Sequence, residues 1–333
     1  MPQQQMNPRG RDVTPILLGI ALTVFATLPF WAGKGLVFLA GIVLLQMVFA
    51  LAFNLMFGLT GLVSFGQAAF FAAGAYASGW LARMVPDLPF FLTIAFGGAV
   101  GAVLSAIIGL VALRRASGIY FAILTLALGQ LVYTLIGKTT ALGREDGLIG
   151  IARPVLDFGV FEINLAAGDN YYFLILTASV VLSAILWWVW HGNLGRILAA
   201  IRQEPERVRF LGIDVRRYRE YAFIISGTVT ALAGALVAPW SHIITPMLAH
   251  WSYSALPILF CLLGGRSRFW GPAVGAIVFA GLEHATRTMV GVAELVVGGA
   301  LLIVVLAMPG GILGTLSALG GRYFGTKREA GHD

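Results

Sequence analysis

The chain has 333 residues, of which 59% are hydrophobic and only 11% are charged, and its formal net charge at pH 7 is +7. Soluble domains carry about 25% charged residues, so the composition excludes a cytosolic globular protein and a disordered chain. The mean hydropathy of +0.87 predicts an integral membrane protein. The single cysteine, Cys261, leaves no basis for a disulfide framework or a thiolate metal site.

Ten apolar windows are candidates for membrane-spanning helices, which need about 20 predominantly apolar residues. In chain order they are 15–32, 36–57, 62–82, 90–113, 119–137, 171–190, 221–240, 250–264, 270–289 and 293–309. The eighth window is short, and the second and third are nearly fused, so eight or nine spans stay open as alternatives. We predict an all-α, polytopic integral membrane protein with about ten transmembrane segments.

The positive charges predict how these segments are oriented. If the N-terminus lies inside, most of the 22 lysines and arginines fall on the cytoplasmic side, as is usual for membrane proteins. Both termini are then cytoplasmic, and the net charge requires no nucleic-acid partner. The predicted organisation is a cytoplasmic tail at 1–14, a single transmembrane domain at 15–314 and a cytoplasmic tail at 315–333.

Two connections are longer than a turn. Residues 138–170 lie outside in this topology and are rich in glycine. Residues 191–220 lie inside and carry a cluster of arginines together with four acidic residues, Glu204, Glu206, Asp214 and Glu220. We call 191–220 the internal loop, because it is the only long hydrophilic stretch on the predicted cytoplasmic side between two spans.

The internal loop has the features of a short interrupted helix. Pro205 suits the first turn of a helix, and Gly212 is placed to end one. Arg202 and Glu206 could pair if the helix were continuous, but Pro205 favours a break between them. The loop either contacts anionic lipid headgroups or forms a surface helix that docks into a soluble partner. In the second interpretation the apolar residues of the docking face are Ile201, Val208 and Leu211.

Polar residues and glycines also occur together at membrane depth, where irregular backbone is tolerated if it lines a cavity or is buried in protein. One such cluster comprises Asn54, Gly58, Thr60, Gly61, Ser64, Gly66 and Gln67. It indicates either part of a translocation path or a simple cytoplasmic turn. On the fifth window, Gln130, Tyr133 and Thr134 share one face. With Tyr120 and Thr125 they either line a path or bond to neighbouring helices.

Ionisable residues inside a span are functional candidates by default. Glu283, His284 and Arg287 lie in the outer half of the ninth window. Because Glu283 and Arg287 are four residues apart, a helix would let them pair. We expect a structural ion pair here, with a contact to a path or to an external protein as the alternative. Glycine pairs at helix-contact spacing, such as Gly97 with Gly101, Gly271 with Gly275 and Gly227 with Gly234, predict close helix packing.

Several separated motifs resemble one family of membrane proteins. They are Gly195-Arg196-x-x-Ala199-x-Ile201-Arg202-x-Glu204, Leu211-Gly212-Ile213, Tyr221 to Gly227, Gly61-Leu62-Val63-Ser64-Phe65-Gly66-Gln67, Gly118 to Leu126, Trp270 to Ala276 and Pro309 to Gly314. Taken in their order along the chain, over about residues 40–314, they are similar to the permease subunits of branched-chain amino-acid ABC importers. Within that family the chain resembles the LivM-type permeases.

The resemblance implies a bacterial inner-membrane machine made of several chains. Besides this permease it would contain a second, LivH-like permease, two ATP-hydrolysing subunits and an extracytoplasmic substrate-binding protein. The internal loop would couple to the ATPases through Gly195, Arg196, Ala199, Arg202, Glu204, Glu206, Leu211 and Gly212. The candidate path residues are Asn54, Ser64, Gln67, Tyr76, Tyr120, Thr125 and Gln130.

The residues themselves support this division of labour. The chain has no G-x-x-x-x-G-K-[ST] phosphate loop and no H-E-x-x-H motif, so it is predicted not to be an enzyme. ATP and Mg would be bound by the partner subunits, with no cofactor or metal on this chain. The implied substrates are branched-chain or other hydrophobic amino acids, with urea or short amides as an alternative.

Two other classes of function fit the sequence less well. A secondary transporter would need acidic residues deep in several spans, whereas acids here lie in loops and tails apart from Glu283 and Glu294. A membrane-embedded transferase would need a histidine with an acidic neighbour near the membrane surface. Its best candidates, His242 and His250, have no acidic neighbour in the sequence.

Overall fold

The computed structural model describes residues 14–116, 118–153, 155–157, 162–166, 169–287, 291–308 and 310–315. The two predicted tails, 1–14 and 315–333, therefore lie almost entirely outside the described residues. Within those ranges, each of the ten apolar windows contains one helix, and the internal loop contains two more.

The twelve α-helices of the described ranges are α1 (Thr14–Trp31), α2 (Lys34–Thr60), α3 (Gln67–Met84), α4 (Phe90–Arg115), α5 (Ile119–Lys138), α6 (Asn170–His191), α7 (Asn193–Gln203), α8 (Pro205–Phe210), α9 (Val215–Ser241), α10 (Trp251–Gly264), α11 (Gly271–Thr286) and α12 (Ala293–Ala307). Six helical segments are long and apolar enough to cross a membrane: Lys34–Thr60, Phe90–Arg115, Ile119–Lys138, Asn170–His191, Val215–Ser241 and Leu295–Thr315. The prediction of an all-α, multi-pass membrane protein is confirmed.

The described residues also include four short strands. Strand β1 (Leu148–Ile149) pairs antiparallel with β4 (Ile243–Ile244). Strand β2 (Val155–Asp157) pairs antiparallel with β3 (Glu162–Asn164). Apolar windows do not reveal such ladders, because each strand has only two or three residues. The first ladder attaches the 138–170 connection to the chain that follows α9.

Helix α9 forms the centre of the bundle and packs against α2, α3 and α4. These contacts are close because small residues face one another. A Cβ atom on Gly74 of α3 would lie 1.9 Å from the carbonyl oxygen of Ala231, and one on Gly101 of α4 would lie 2.0 Å from the Cβ of Ala231. Without a hydrophobic driving force between helices in lipid, such close van der Waals packing holds the bundle together.

Helices α10 and α11 form a second closely packed unit. A Cβ atom on Gly264 would lie 1.7 Å from the carbonyl oxygen of Gly271, and one on Gly275 would lie 2.0 Å from the carbonyl oxygen of Phe260. The predicted packing role of Gly271 and Gly275 is therefore confirmed. With 14 and 16 residues, both helices are shorter than the about 20 residues that a full span needs.

Candidate functional site

The chain between α2 and α3, residues 61–66, is not helical, and we call it the extended segment. Leu62, Ser64 and Gly66 are buried in the bundle, whereas Gly61 is exposed. Helix α2 ends at Thr60, and Gly61 adopts a left-handed conformation with φ 75°. Residues without a Cβ reach this conformation at little cost. The backbone N–H of Phe65 donates to the hydroxyl of Thr125 in α5 at 3.2 Å, and that of Ala68 donates to Ser254 in α10 at 2.9 Å. Hydroxyl groups thus satisfy backbone donors that lipid could not satisfy.

Gln67, the first residue of α3, connects this segment to the central helix. Its side-chain nitrogen donates to the hydroxyl of Ser226 at 2.7 Å and to that of Thr230 at 3.2 Å. Ser226 in turn donates to the carbonyl oxygen of Ala52 in α2 at 2.5 Å. The other amide atom, Gln67 Oε1, is buried and has no partner among the described residues. Three helices therefore share one polar network at the middle of α9.

The candidate path residues occupy several places rather than one. Ser64, Gln67 and Thr125 lie at the extended segment and are fully buried. Asn54 donates to the carbonyl oxygen of Arg268 at 3.3 Å. The hydroxyl of Tyr76 donates to the carbonyl oxygen of Ile244 at 3.1 Å, beside the first strand ladder.

Tyr120 differs from the rest, because 72% of its surface is exposed. It lies at the start of α5 and is not brought to the buried cluster. Gln130 is half-buried, and its Oε1 atom has no partner among the described residues. On the same face, the Thr134 hydroxyl bonds within its own helix to the Gln130 carbonyl at 2.9 Å, and the Tyr133 ring contacts that of His250 at 5.2 Å.

The internal loop forms two helices that join at Glu204. Helix α7 ends at Gln203, α8 begins at Pro205, and Gly212 follows α8 with φ 80°. The predicted break at Pro205 and the stop at Gly212 are both confirmed. Gly195 lies so close to α6 that a Cβ atom there would be 1.9 Å from the carbonyl oxygen of Trp190.

The apolar face of these helices is turned toward the bundle. Leu198, Ile201 and Val208 are buried in the main hydrophobic core. The expectation that Ile201 and Val208 belong to a docking face was therefore wrong, because their burial against the chain's own helices anchors the loop. Leu211, the third residue expected on that face, is exposed, as is its neighbour Phe210, with 78% and 89% of their surfaces accessible.

Charged residues lie on the exposed side of the same two helices. Arg196 and Glu204 are exposed, and Ala199 is half-buried. Glu206 pairs with Arg209 at 2.6 Å rather than with Arg202. The guanidinium of Arg202 donates to the carbonyl oxygen of Gly58 in α2. Burial, together with the nearby positive charge of Arg266, lowers the pKa of Arg202 below its ordinary value.

Comparison with known families decides what class of protein has this arrangement. A family model described as "Branched-chain amino acid transport system / permease component" matches residues 35–306. The chain belongs to this permease family. The matched region includes the extended segment, the polar network and the internal loop.

Individual permeases agree with this assignment. The chain is 27% identical over 326 residues to the high-affinity branched-chain amino acid transport system permease protein LivM of Escherichia coli, covering 91% of this chain and 76% of the relative. It is 25% identical to the probable branched-chain amino acid transport permease protein LivM of Methanocaldococcus jannaschii, covering 71% and 76%. It is 23% identical to LivH of Escherichia coli, covering 80% and 90%. No solved structure matches the chain.

Some structurally prominent residues of this permease were not singled out from its sequence. Ser226 and Thr230 bond to Gln67, and Ser254 accepts from the backbone N–H of Ala68. Each is one of two or three serine or threonine residues in its apolar window, and nothing in the sequence distinguishes it from the others. Arg153 of the 138–170 connection lies over the ring of Trp240 at 4.8 Å and donates to the Trp240 carbonyl at 3.3 Å. A cation beside the last carbonyls of a helix is favourable. The sequence feature that could have indicated this contact is an arginine in a loop rich in turn residues.

The ion pair expected on α11 of the permease is not formed. The three salt bridges within the described residues do not include Glu283 or Arg287, and both are exposed. Arg287 follows the end of α11 with helical backbone angles, φ −54° and ψ −30°, so the spacing alone does not prevent the pair. Two exposed charges gain little by pairing. Among the described residues, no group of three metal-binding side chains occurs. His242 bonds to the Ile151 carbonyl, and His250 bonds to Ser252.

Proposed function

We propose that this permease is the transmembrane subunit of an ATP-driven importer that moves branched-chain or other hydrophobic amino acids into the cytoplasm. The observation that carries the proposal is the α7–α8 unit. It is anchored to the bundle by buried Leu198, Ile201 and Val208, while Phe210 and Leu211 are left bare. Exposed apolar side chains on a firmly held helix pair are typical of a protein-docking surface.

The proposed topology has about ten spans with both termini in the cytoplasm. One helix in each of the ten windows supports this count, although α10 and α11 are short. The arginine-rich α7–α8 unit lies inside under this orientation, following the usual excess of cations in cytoplasmic loops. The 138–170 connection, with β1, β2 and β3, then lies outside, where a substrate-binding protein would approach.

The proposed complex divides the work among chains. Two partner ATPases bind ATP and Mg, and the permease itself catalyses no reaction. A second, LivH-like permease completes the membrane conduit, which the similarity of this chain to both LivM and LivH relatives supports. An extracytoplasmic binding protein delivers the substrate, and the complex resides in the bacterial inner membrane.

The contacts of Arg202 and Gln67 suggest how movement reaches the membrane interior. Closure of the ATPases around ATP would displace α7, and Arg202 would pull on the end of α2 through the Gly58 carbonyl. The extended segment begins three residues later, at Gly61, and leads to Gln67 and its polar network. Opening this network would expose Gln67, Thr125 and Ser64 to a path, with Asn54, Tyr76, Tyr120 and Gln130 bordering it at other levels.

Amino acids are preferred to urea or short amides as substrates, because each relative described above is named for branched-chain amino acids. The test is uptake of radiolabelled leucine into proteoliposomes that contain both permeases, with the ATPases and ATP inside and the binding protein outside. We expect uptake that requires every component. Uptake by the permeases alone, driven by an ion gradient, would instead identify a secondary transporter.

A further inference from the structure

A pair of arginines converges on the cytoplasmic end of α2. Arg202 comes from α7, and Arg266 comes from the turn between α10 and α11. Arg202 donates to the Gly58 carbonyl oxygen through its guanidinium, whereas Arg266 approaches Gly58 through its backbone oxygen, 2.8 Å from a Cβ atom placed there. The guanidinium of Arg266 lies over the neighbouring Phe57 ring, and its positive charge acts on Arg202. We call the surface formed by Arg202, Arg266, Gly58 and Phe57 the cationic pit.

Each guanidinium of the cationic pit is held in place by contacts of its own. The Cζ atom of Arg266 lies 4.9 Å from the centre of the Phe57 ring, a distance typical of a cation–π contact. Arg202 is held by the Gly58 carbonyl and by the packing of its side chain against Gly61, where a Cβ atom would lie 3.7 Å away. Two guanidiniums fixed in this way lose little further freedom when they bind a ligand.

The pit has no counter-charge within the described part of the chain. The ion pairs there join Arg209 to Glu206, Arg216 to Glu220 and Arg217 to Asp214, so none involves Arg202 or Arg266. Two like charges that face each other disfavour their own ionised forms unless an anion lies between them. Arginine's planar fork suits a carboxylate or a phosphate, which can accept two parallel hydrogen bonds.

The position of the pit distinguishes between sources of that anion. Helix α2 is buried along most of its length, and α7 crosses beneath α2, α6 and α9. Trp190, at the end of α6, closes another side, 2.8 Å from a Cβ atom placed on Gly58. Arg202 and Arg266 themselves are exposed, so the pit is accessible from outside while the buried helix α2 forms its floor. A site backed by the central helices of the bundle favours a soluble protein over a lipid headgroup.

We propose that the cationic pit binds an acidic side chain of the partner ATPase, so that Arg202 and Arg266 grip one carboxylate while Phe210 and Leu211 fill an apolar depression beside it. This inference rests on the proposed function, because it takes an ATPase as the partner. The inference adds the turn between α10 and α11 to the docking surface. Two separate parts of the chain, α7 and this turn, then bind one residue of the partner.

The test is the affinity of the ATPase for the permease pair in lipid nanodiscs, measured across a salt series. Arg266→Gln should weaken binding about tenfold, the loss expected for one charge-assisted pair, and should flatten the dependence on salt. Arg266→Lys should give an intermediate affinity, because it keeps the charge but loses the fork. Arg115→Gln, which removes a cation from the end of α4, should match the unaltered permease.

Other sources of the anion predict different results. If Arg266→Gln matters only in nanodiscs that contain phosphatidylglycerol, the ligand is a lipid headgroup and the proposal is overturned. If a variant ending at Gly320 reproduces the Arg266→Gln affinity, and the two changes together add nothing, the chain's own Glu329 or Asp333 occupies the pit and the proposal is overturned. Equal affinity of Arg266→Gln and the unaltered permease overturns this inference alone, whereas failure of the unaltered permease to bind the ATPase defeats the proposed function as well.

Discussion

The side-chain amide of Gln67 donates to the hydroxyl of Ser226 at 2.7 Å, joining the first residue of α3 to the middle of α9. This bond links the extended segment at 61–66 to the central helix of the bundle. Ser226 passes the connection on to α2 by donating to the carbonyl oxygen of Ala52. A buried polar network in a membrane protein both stabilises the bundle and offers polar groups to a substrate when it opens.

Removing the Ser226 hydroxyl tests this network. We expect Ser226→Ala to lower the free energy of unfolding by about 1–2 kcal/mol, because Gln67 loses an acceptor and Ala52 loses a donor. Unfolding of the purified permease in a denaturing detergent measures the change. Thr228→Ala is the matched control, because the Thr228 hydroxyl bonds only within its own helix, to the Ile224 carbonyl. Equal effects of the two substitutions would contradict a network that spans helices.

The hydrogen bond between Arg202 and Gly58 predicts that removing the Arg202 guanidinium weakens the coupling of transport to ATP hydrolysis. Loss of one charge-assisted hydrogen bond amounts to about 1.5–3 kcal/mol, so Arg202→Gln should lower amino-acid uptake per ATP hydrolysed about tenfold or more. The measurement compares uptake and ATP hydrolysis in the same proteoliposomes. Arg114→Gln, at the exposed end of α4, should leave the ratio unchanged. Weaker binding of the ATPase through the cationic pit would lower uptake and hydrolysis together, so only the ratio of the two tests the hydrogen bond to Gly58. An unchanged ratio in Arg202→Gln would mean that Arg202 contributes to binding the ATPase but does not transmit movement.

The exposed tip of α8 predicts loss of docking without loss of folding. The double substitution Phe210→Ser with Leu211→Ser should change stability by no more than about 0.5 kcal/mol, because neither side chain is packed in the bundle. Co-purification of the ATPase should nevertheless be lost. Leu198→Ser provides the contrast, since Leu198 is fully buried and its loss should destabilise the permease itself. Full retention of the ATPase by the double variant would exclude the tip from the interface.

The contact between α3 and α9 predicts which glycines accept a side chain. A Cβ atom on Gly74 would lie 1.9 Å from the Ala231 carbonyl oxygen, so Gly74→Ala must separate the helices at a cost of about 1–3 kcal/mol or more. Gly281 in α11 has no neighbour within 4 Å of such an atom. Gly281→Ala should be neutral or slightly stabilising. Thermal unfolding of both variants measures the difference, and similar midpoints would mean that α3 and α9 are not so close.

Local patterns in the sequence were sufficient to predict where the helices lie and where the internal loop is interrupted. A long apolar window becomes a helix wherever the backbone must satisfy its own hydrogen bonds in lipid, which is why all ten windows contain one. Pro205 begins a helix and Gly212 follows its end, as predicted. Both effects are local, because the proline ring and the left-handed glycine fix the backbone within a single helical turn. The family resemblance was likewise visible in the residues alone, and the match over 35–306 confirms it.

Tertiary structure alone decided which side chains meet. Ile201 and Val208 lie on an apolar face that suits either a partner or the chain's own bundle, and only packing places them inside. Arg202 and Gly58 are far apart in sequence, as are Gln67 and Ser226, so no spacing rule predicts their bonds. Composition and charge thus determined that the chain is a multi-pass membrane protein. Each span must be apolar and helical on its own account, because lipid offers no hydrogen-bond partners to its backbone. Contacts between distant segments depend on how the helices pack against one another, and only the folded bundle shows that.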